Sequence, residues 1–347
     1  MKIEVEVITK ETIKPSSPTP HHLHHHQLSF LDQLAPHAYV PFLYFYEFNG
    51  STNIHQISNL LKTSLSKVLT QYYPFAGRVR NNLFVHCQDQ GIPFSEVKVK
   101  THLLSDVITN PCLSELHKLL PFKLDEVTET ALGVQLNVFE CGGIAVGLCI
   151  SHRIADGLSC FTFVNNWAAA SNCGPGNKNS IVGPDFSAAS IFPPRNMDGY
   201  LGFPITKIKT KMFVFDVSKV EALRSRYEQS IKVSKTQKRP SKVEALSAFL
   251  WDIFVLSRPR ERAQTLYAVV YIMDLRSRFK PPLPQHTFGN YYRAAMCHGP
   301  HVQGPIQGST RWIDHAGPLS PYVQIRCTVV GRSSWWMLVG DIVGGWC

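Results

Sequence analysis

Apolar and polar residues follow two different periodicities in the first part of the chain. Ile3, Val5 and Val7 are separated by charged residues, which is the alternation of a half-buried β-strand. Residues 54–72 instead carry apolar side chains at three- and four-residue intervals, and this spacing predicts an amphipathic helix that ends before Pro74. A strand followed by an amphipathic helix indicates a mixed α/β fold.

The middle of the chain holds two apolar runs that predict a β-hairpin. Residues 132–139 and 144–151 flank the tripeptide Cys141-Gly142-Gly143, which is a turn signal. A helix is predicted directly afterwards, over residues 158–170. Further strands are predicted at residues 40–48, 83–87 and 94–99.

The composition and the periodicity of the sequence change after residue 170. Residues 171–204 are rich in Gly, Pro, Asn and Ser and show no sustained period, so we interpret them as a crossover between two domains. Strand and helix patterns resume beyond it, with strands at 212–215 and 265–273 and helices at 218–228 and 241–256. The predicted organisation is an N-terminal domain (1–170), the crossover (171–204), a partial C-terminal domain (205–296) and an atypical tail (297–347).

The net positive charge of the chain is confined to one segment. The formal charge is +10, and residues 201–280 contain 17 Lys and Arg against 7 Asp and Glu, so the remainder is balanced. Such a segment attracts anions, and a phosphorylated ligand, a nucleic acid or merely a solvated basic helix face would account for it. Nucleic-acid binding is disfavoured because the segment lacks the aromatic and glycine-rich pattern of an RNA-binding sheet.

Cysteine, histidine and hydropathy patterns exclude several classes of protein. The nine cysteines include no CxxC pair, which argues against a disulfide framework and a zinc site. Five histidines lie among residues 21–26, in a Pro-rich loop without acidic or cysteine neighbours, so we expect no metal there. The apolar runs are shorter than the about 18 residues of a membrane span, and the N-terminus lacks a signal-peptide pattern, so we expect a cytosolic protein.

One histidine lies where a predicted strand meets a predicted helix. His152 follows the strand at 144–151, and Asp156 and Gly157 precede the next helix. A histidine with a pKa near about 6.5, held by a rigid element, is suited to take and return a proton. The HxxxD pattern alone does not separate a general base from a structural histidine. A Ser-His-Asp triad is disfavoured because no GxSxG motif occurs and Ser159 lies within the helix.

Several segments resemble the motifs of one enzyme family. Residues 151–157 (SHRIADG) resemble the SHxxxDG motif of the BAHD family of plant acyl-CoA-dependent acyltransferases. Residues 71–78 (QYYPFAGR) resemble its YPxAGR element, and residues 28–33 (LSFLDQ) resemble its LSxxDQ element. Residues 275–290 contain counterparts of its LRSR, PPLP and GN elements. The resemblance covers residues 1–296 in the family's order and spacing, which makes it specific.

This resemblance implies a fold and a reaction. The family fold is a two-domain, chloramphenicol-acetyltransferase-like α/β architecture with a long crossover and a channel between the domains. The implied reaction transfers an acyl group, expected to be acetyl, from acyl-CoA to a hydroxyl or amine of a plant specialised metabolite. His152 would be the general base that activates the acceptor, without an acyl-enzyme and without a bound cofactor.

The resemblance also assigns supporting residues. Asp156 is implied to pair with Arg276 and so to hold the loop of His152, and Asn290 matches a polar residue that faces the reaction centre. The basic segment would meet the phosphates of CoA, for which the candidate contacts are Lys238, Arg239 and Lys242. We expect a monomer whose partners are acyl-CoA and a small-molecule acceptor, with no nucleic acid and no membrane.

The end of the chain departs from the family pattern. The DFGWG element of the family is absent, and residues 297–347 contain no Lys and no Glu but four of the six Trp. We therefore expect an incomplete second domain, in which residues 323–330 and 335–343 are the segments able to pair as strands. An alternative function stays open: a catalytically impaired remnant that at most binds CoA or a protein partner.

Overall fold

The structure is a computed structural model that describes residues 2–47, 53–100, 103–109, 111–124, 126–172, 182–196, 210–231, 239–256, 268–298, 327–329 and 335–340. The chain divides into two compact units. The first comprises Met1–Pro204 with Arg278–Tyr291, and the second comprises Ile205–Ser277 with Tyr292–Cys347. The short segment Arg278–Tyr291 therefore belongs with the first unit, whereas the sequence patterns grouped it with the C-terminal domain.

A five-stranded mixed sheet forms the centre of the first unit. Its strands are β1 (Val5–Ile13), β3 (Tyr39–Tyr46), β6 (Ile92–Val99), β7 (Leu132–Phe139) and β8 (Ile144–Ser151). They lie in the order β1-β6-β7-β8-β3, in which β6 and β7 are parallel and the other neighbours are antiparallel. The predicted hairpin is confirmed as β7 and β8. All eight residues of β8 are buried, which explains why this strand has a continuous apolar sequence.

Helices pack against both faces of this sheet. The predicted helices α2 (Ile54–Gln71) and α5 (Gly157–Ser171) are confirmed and pack together over one face. Leu65 of α2 and Phe163 of α5 are fully buried there. The other face carries α3 (Leu104–Thr109) and the single turn His117–Leu119. Burial on both sides fixes β8, and with it the position of the residues that follow.

Short elements complete the first unit. β2 (His25–Gln27), β4 (Arg78–Arg80) and β5 (Phe84–His86) form a small antiparallel sheet in the order β2-β5-β4. α1 (Phe30–Leu34) begins with a capping box, because the Ser29 hydroxyl accepts the N–H of Asp32 while the Asp32 carboxylate accepts the N–H of Ser29. The remaining short helices are α4 (Leu113–Leu116) and α6 (Ala188–Ile191).

The segment Arg278–Tyr291 is attached to the first unit by an aromatic anchor. The Phe288 ring lies edge-on to Phe75 and Tyr72, with centroid distances of 5.3 and 5.8 Å. The Phe288 N–H also donates to the carbonyl of Asp185 at 2.8 Å. Burial of a phenylalanine side chain stabilises by about 1.5–3 kcal/mol, so this ring fixes the neighbouring residues 289–291 against the core.

The second unit is an α/β arrangement. α7 (Val217–Ile231) and α8 (Lys242–Leu256) pack together through Val220 and Leu246, and they confirm the two predicted helices. β10 (Ala268–Asp274) pairs with β11 (Tyr292–His298). β9 (Thr210–Phe215) pairs with β13 (Trp335–Gly340), which also pairs with β12 (Cys327–Val329).

The two tail strands occur where the sequence pattern allowed them. The expected incompleteness of the second domain stays a prediction, because the rest of residues 299–347 lies outside the described residues. None of the helices among the described residues combines the length and the apolar character of a membrane-spanning segment.

Candidate active site

His152 lies at the point where β8 ends and the chain turns toward α5. Its backbone N–H donates to the carbonyl of Ala38, one residue before β3, at 2.9 Å. The Ser151 N–H donates to Ala131 at 2.8 Å, and the Ile154 N–H closes the turn on Ser151 at 3.2 Å. Because these bonds join the ends of neighbouring strands, the sheet holds the His152 backbone in place, as the strand-end position predicted.

The Asp156 carboxylate fixes the other end of this turn. Asp156 is buried, and its Oδ1 accepts the N–H of Ser159 at 2.9 Å, which caps the N-terminus of α5. Its Oδ2 accepts the N–H of Tyr291 at 3.0 Å. One side chain thus joins the start of α5 to the segment that carries Asn290. These bonds give Asp156 an anchoring position in the first unit.

Asn290 contacts both the ring and the backbone of His152. The Asn290 Oδ1 lies 3.1 Å from His152 Nδ1, and the Asn290 Nδ2 donates to the carbonyl of His152 at 2.8 Å. The same Nδ2 donates to Asp32 Oδ1 at 2.8 Å. With both amide hydrogens directed at oxygen atoms, Oδ1 is the atom left to face the ring. An amide oxygen accepts only, so this contact favours the His152 tautomer with its hydrogen on Nδ1 and its lone pair on Nε2.

Asp32 is the residue that connects this arrangement to α1. Its Oδ1 accepts the backbone N–H as well as the Nδ2 of Asn290, both at 2.8 Å. Its Oδ2 accepts the N–H and the hydroxyl of Ser29, at 2.8 and 2.6 Å. Burial raises the pKa of Asp32, and the hydrogen bonds from Ser29 and Asn290 act in the opposite direction. Three of the four contacts come from N–H groups, which can only donate to this carboxyl group.

The backbone at Gly289 explains the glycine of the GN element. Gly289 has φ +129, and a Cβ placed on it would lie 3.0 Å from the Cβ of Ala188. Its N–H donates to the Ser159 hydroxyl at 3.1 Å, and that hydroxyl lies 3.0 Å from the Gly289 carbonyl. A glycine is therefore required for the chain to pass this point and present Asn290 to His152.

The structure gives different results for Arg276 and Asn290, the two residues predicted to support His152 besides Asp156. Arg276 is buried, and its Nη1 donates to Asp274 Oδ1 at 2.9 Å. Arg276 belongs to the second unit and Asp156 to the first, and their pairing stays a prediction. Asn290, by contrast, is in contact with His152 as described above. Asp32, which the sequence patterns placed only within the LSxxDQ element, is also in contact with Asn290.

The three candidate phosphate contacts are placed unequally. Lys238 lies outside the described residues. Arg239 donates to Glu221 Oε2 at 2.9 Å and lies 3.3 Å from Glu228 Oε2 through its Nε. Lys242 is exposed at the first turn of α8. The charge of Arg239 is thus partly neutralised by its own neighbours, which the charge count along the sequence did not reveal.

The histidine run is built into the small sheet. The His25 ring stacks on Phe84 with a centroid distance of 4.9 Å. The His26 ring lies edge-on to Tyr73 and Phe186, and burial lowers the pKa of His26 to about 4. Among the described residues, no group of three or more His, Cys, Asp or Glu side chains could hold a metal ion.

Comparisons with known proteins agree on one family. The model of the Transferase family matches residues 3–299. Stemmadenine O-acetyltransferase of Catharanthus roseus is 38% identical over 332 residues, which are 90% of this chain and 77% of that protein. Vinorine synthase of Rauvolfia serpentina is 37% identical over 301 residues, which are 84% of this chain and 70% of that protein.

Solved structures give the same result. The crystal structure of vinorine synthase superposes with a TM-score of 0.75 at 36% identity, covering 85% of this chain and 71% of that one. A TRI101 structure from F. graminearum superposes with a TM-score of 0.61 at 16% identity, which shows a shared fold; the coverage is 85% of this chain and 75% of that one. Eight curated relatives, including the two named above, are covered over 64% to 77% of their own lengths.

Proposed function

This chain belongs to the Transferase family of BAHD acyl-CoA-dependent acyltransferases, and from that premise we propose that it acetylates a hydroxyl group of a plant specialised metabolite with His152 as the general base. The names of the relatives support the acetyl donor and the oxygen acceptor. They include stemmadenine O-acetyltransferase and salutaridinol 7-O-acetyltransferase. Acyl-CoA is the co-substrate of the family, and no further cofactor is needed.

The hydrogen bond at His152 Nδ1 is the observation that carries the assignment of the base. Because Asn290 Oδ1 accepts from Nδ1, the lone pair resides on Nε2, which can take the proton of the acceptor hydroxyl. The acceptor oxygen then attacks the thioester carbonyl carbon and forms the new C–O bond while the C–S bond breaks. The imidazolium returns its proton to the departing sulfur, so the products are the ester and free CoA.

The rigid placement of the histidine supports this role. A general base must lie within hydrogen-bond distance of the proton that it abstracts, and placement to about 0.5 Å matters for the rate. The His152 backbone is held by β3 and β8, and its ring is held by Asn290. We assign Asp156 an anchoring role with Arg276 as its partner, and we keep Lys238, Arg239 and Lys242 as the proposed contacts to the CoA phosphates.

The acceptor class follows from the relatives and not from the site geometry. Several relatives are named for the alcohol that they acetylate, among them limonoid 1-O-acetyltransferse of Citrus sinensis and salutaridinol 7-O-acetyltransferase of Papaver somniferum. We therefore infer a polycyclic alcohol as the acceptor. The proposal includes a monomer that acts in the cytosol without nucleic-acid or membrane partners.

The test is an acetyl-transfer assay with purified protein. Acetyl-CoA is mixed with a panel of alcohols and amines, and free thiol release and the acetylated product are measured. The His152→Ala variant is expected to lose about 10²- to 10⁴-fold in kcat with an unchanged circular dichroism spectrum. His22→Ala, which removes an exposed histidine of the loop before β2, is the matched control and is expected to keep the wild-type rate.

Each outcome of this assay decides between the two functions. Turnover that depends on His152 supports the transferase. Binding of CoA by calorimetry without turnover of any acceptor would instead support the catalytically impaired remnant. Turnover that survives in a folded His152→Ala variant would reject the general base.

A further inference from the structure

Asp32 does not contact the reacting groups of the proposed chemistry. Its carboxylate instead bonds Asn290, and Asn290 contacts the ring of His152. The carboxylate is 2% exposed and accepts hydrogen bonds from Ser29 and Asn290. Asn290 is 1% exposed. Water has little access to this pair, so hydrogen bonds within the protein set the orientation of the Asn290 amide.

The orientation of that amide follows from counting donors and acceptors. An asparagine side chain has two N–H donors and one carbonyl acceptor. Asn290 Nδ2 faces Asp32 Oδ1 and the His152 carbonyl, each at 2.8 Å. If the amide were rotated by 180°, its oxygen would face these two acceptors, and a buried carboxylate against a carbonyl oxygen is strongly unfavourable. Asp32 therefore excludes the rotated amide.

This exclusion is transmitted to the histidine ring. The tautomer of a neutral histidine is set by the hydrogen bond that its second nitrogen makes. With the Asn290 oxygen 3.1 Å from Nδ1, the hydrogen is on Nδ1 and the basic lone pair is on Nε2. With the amide rotated, its Nδ2 would face Nδ1, the hydrogen would move to Nε2, and the ring could no longer accept a proton there.

We propose that Asp32 is a positioning residue that holds His152 in its base-competent tautomer through the side chain of Asn290. The inference rests on the proposed function, because it needs His152 to act as the base. Asp32 touches neither acceptor nor acyl donor in this scheme. Its effect on the reaction passes entirely through the buried amide.

A negative charge on Asp32 would contribute a second effect. When His152 takes a proton, the imidazolium directs its Nδ1–H at an amide oxygen whose N–H group is bonded to a carboxylate. A negative charge behind the amide polarises it and stabilises the positive ring. A neutral side chain of the same shape would leave the amide weaker as an acceptor and free to rotate.

The first experiment reads the tautomer directly. The protein is labelled with ¹⁵N-histidine, and the His152 signals are assigned by their loss in His152→Ala. We expect the wild-type ring in the Nδ1–H form at a pH above its titration. In Asp32→Asn we expect a mixture of both tautomers, because the amide at position 32 can be a donor or an acceptor. This measurement needs no acceptor substrate.

Kinetics provide the second readout, with acetyl-CoA and the best alcohol of the panel as substrates. Asp32→Asn is expected to lower kcat by about 10- to 100-fold, a part of the about 10²- to 10⁴-fold that general acid–base catalysis supplies. The KM for acetyl-CoA is expected to stay within about twofold, since Asp32 does not bind it. A merely structural residue would change the melting temperature and leave the tautomer as it was.

A matched control exists in the same unit. Asp89 accepts the N–H and the hydroxyl of Thr19 at 2.9 and 2.6 Å, as Asp32 does from Ser29. Asp89→Asn therefore loses a comparable pair of hydrogen bonds away from His152. We expect Asp89→Asn to keep both the wild-type tautomer and the wild-type kcat.

Two further measurements keep the test decisive. If Asp32→Asn does not fold, Asp32→Ser replaces it, because the shorter side chain also removes the carboxylate that faces the Asn290 amide. A mixture of both tautomers in this variant supports the proposal, and an unchanged Nδ1–H ring overturns it. An Nε2–H ring in the wild-type chain also overturns it.

Failure of the proposed function would look different. If the folded His152→Ala variant keeps the wild-type rate, the base assignment fails, whatever the tautomer is. If His152→Ala is inactive while Asp32→Asn matches wild type in tautomer and kcat, only the positioning role of Asp32 fails.

Discussion

The loop of His152 and the region of α7 and α8 hold their charged side chains by opposite means. Asp32 and Asp156 are buried, and their oxygens accept N–H and O–H groups of nearby residues. Arg239 instead lies on the surface with 43% of its side chain exposed, in ion pairs with Glu221 and Glu228. The buried hydrogen bonds fix the positions of the side chains around His152. The exposed ion pairs place positive charge on the solvated surface.

The difference corresponds to what each region has to do. Proton transfer needs a fixed geometry, which buried hydrogen bonds in a low dielectric provide. Attraction of a phosphorylated substrate needs only a sustained positive potential, and exposed side chains provide it at the cost of screening by salt. We therefore expect changes near His152 to have large effects that salt does not alter, and changes near Arg239 to have small effects that depend on salt.

The largest effect is expected for Asp156→Ala. This change removes the N-cap of α5 and leaves the buried N–H groups of Ser159 and Tyr291 without their acceptor. Loss of a cap costs about 1 kcal/mol and an unsatisfied buried donor about 1–3 kcal/mol, so the free energy of unfolding should fall by about 3 kcal/mol. Urea unfolding followed by circular dichroism measures it.

Two companion variants make this result specific. Glu126→Ala removes an exposed carboxylate that is paired with Lys123, and we expect a change within about 0.5 kcal/mol. A double-mutant cycle of Asp156→Ala with Arg276→Ala tests their pairing, with an expected coupling of about 1–3 kcal/mol. A coupling near zero rejects the pair, and a cost of Asp156→Ala below about 1 kcal/mol contradicts the anchoring role.

Gly289→Ala is expected to come next, with a loss of about 2 kcal/mol. At φ +129 an L-residue is strained by about 1–3 kcal/mol, and the new methyl group would lie 3.0 Å from Ala188. Because Asn290 is the next residue, kcat should also fall, by about tenfold or more. Unfolding free energies and kcat are measured side by side.

The matched control for this change is Gly142→Ala. Gly142 also has a positive φ, +85, but a Cβ there would meet no atom within 4 Å. It should therefore lose stability through backbone strain alone and keep its kcat. Adding Ala188→Gly to Gly289→Ala removes the steric contact, and we expect it to restore part of the activity. No difference in kcat between Gly289→Ala and Gly142→Ala would contradict the role of the GN segment.

The sequence revealed those features whose causes lie close together along the chain. The hairpin of β7 and β8, the two flanking helices and the position of His152 follow from local periodicity and a glycine turn. Asn290 was found only through the family motif, because nothing in its neighbours indicates where it lies.

The role of Asp32 could not be found in this way. Its contact with Asn290 spans 258 positions of sequence, so no local pattern reports it. The adjacent Gln33 shows the same limit, since it bonds the backbone of Asn82 and of Arg195 on distant segments. Motif residues that are polar and buried are therefore the ones whose partners only a structure can supply.

The third prediction concerns pH and the first unit. The pKa of His26 is about 4 in the folded chain and about 6.5 when unfolded, so the unfolded state takes up the proton first. The stability that His26 contributes is fully present above pH 6.5 and is lost as the pH falls toward 4. The loss should be about 1–2 kcal/mol, because the ring retains some contact with solvent.

His26→Phe tests this expectation by urea unfolding at several pH values between 7 and 4. A phenylalanine can keep the edge-on contacts with Tyr73 and Phe186 but cannot take a proton. The variant should therefore lose less stability on acidification than wild type, while the exposed-site control His22→Phe should behave as wild type. Parallel pH curves for all three proteins would show that His26 is not the group responsible.

The smallest effect is expected at Arg239, and it should depend on salt. Exposed ion pairs contribute about 0–1 kcal/mol and weaken as ionic strength rises, so Arg239→Ala should lower the free energy of unfolding by less than about 1 kcal/mol, and only at low salt.

Binding of CoA, measured by titration calorimetry at two salt concentrations, tests whether Arg239 contacts the CoA phosphates or belongs to a solvated helix face. If Lys238 and Arg239 meet the phosphates, neutralising both should weaken binding at low salt and flatten its salt dependence. The variant Glu221→Gln with Glu228→Gln, which releases Arg239 from both partners, should then bind CoA more tightly than wild type. An identical salt response in wild type and in the Lys238 and Arg239 double variant would place the phosphate contacts elsewhere, and the basic region would be a solvated helix face.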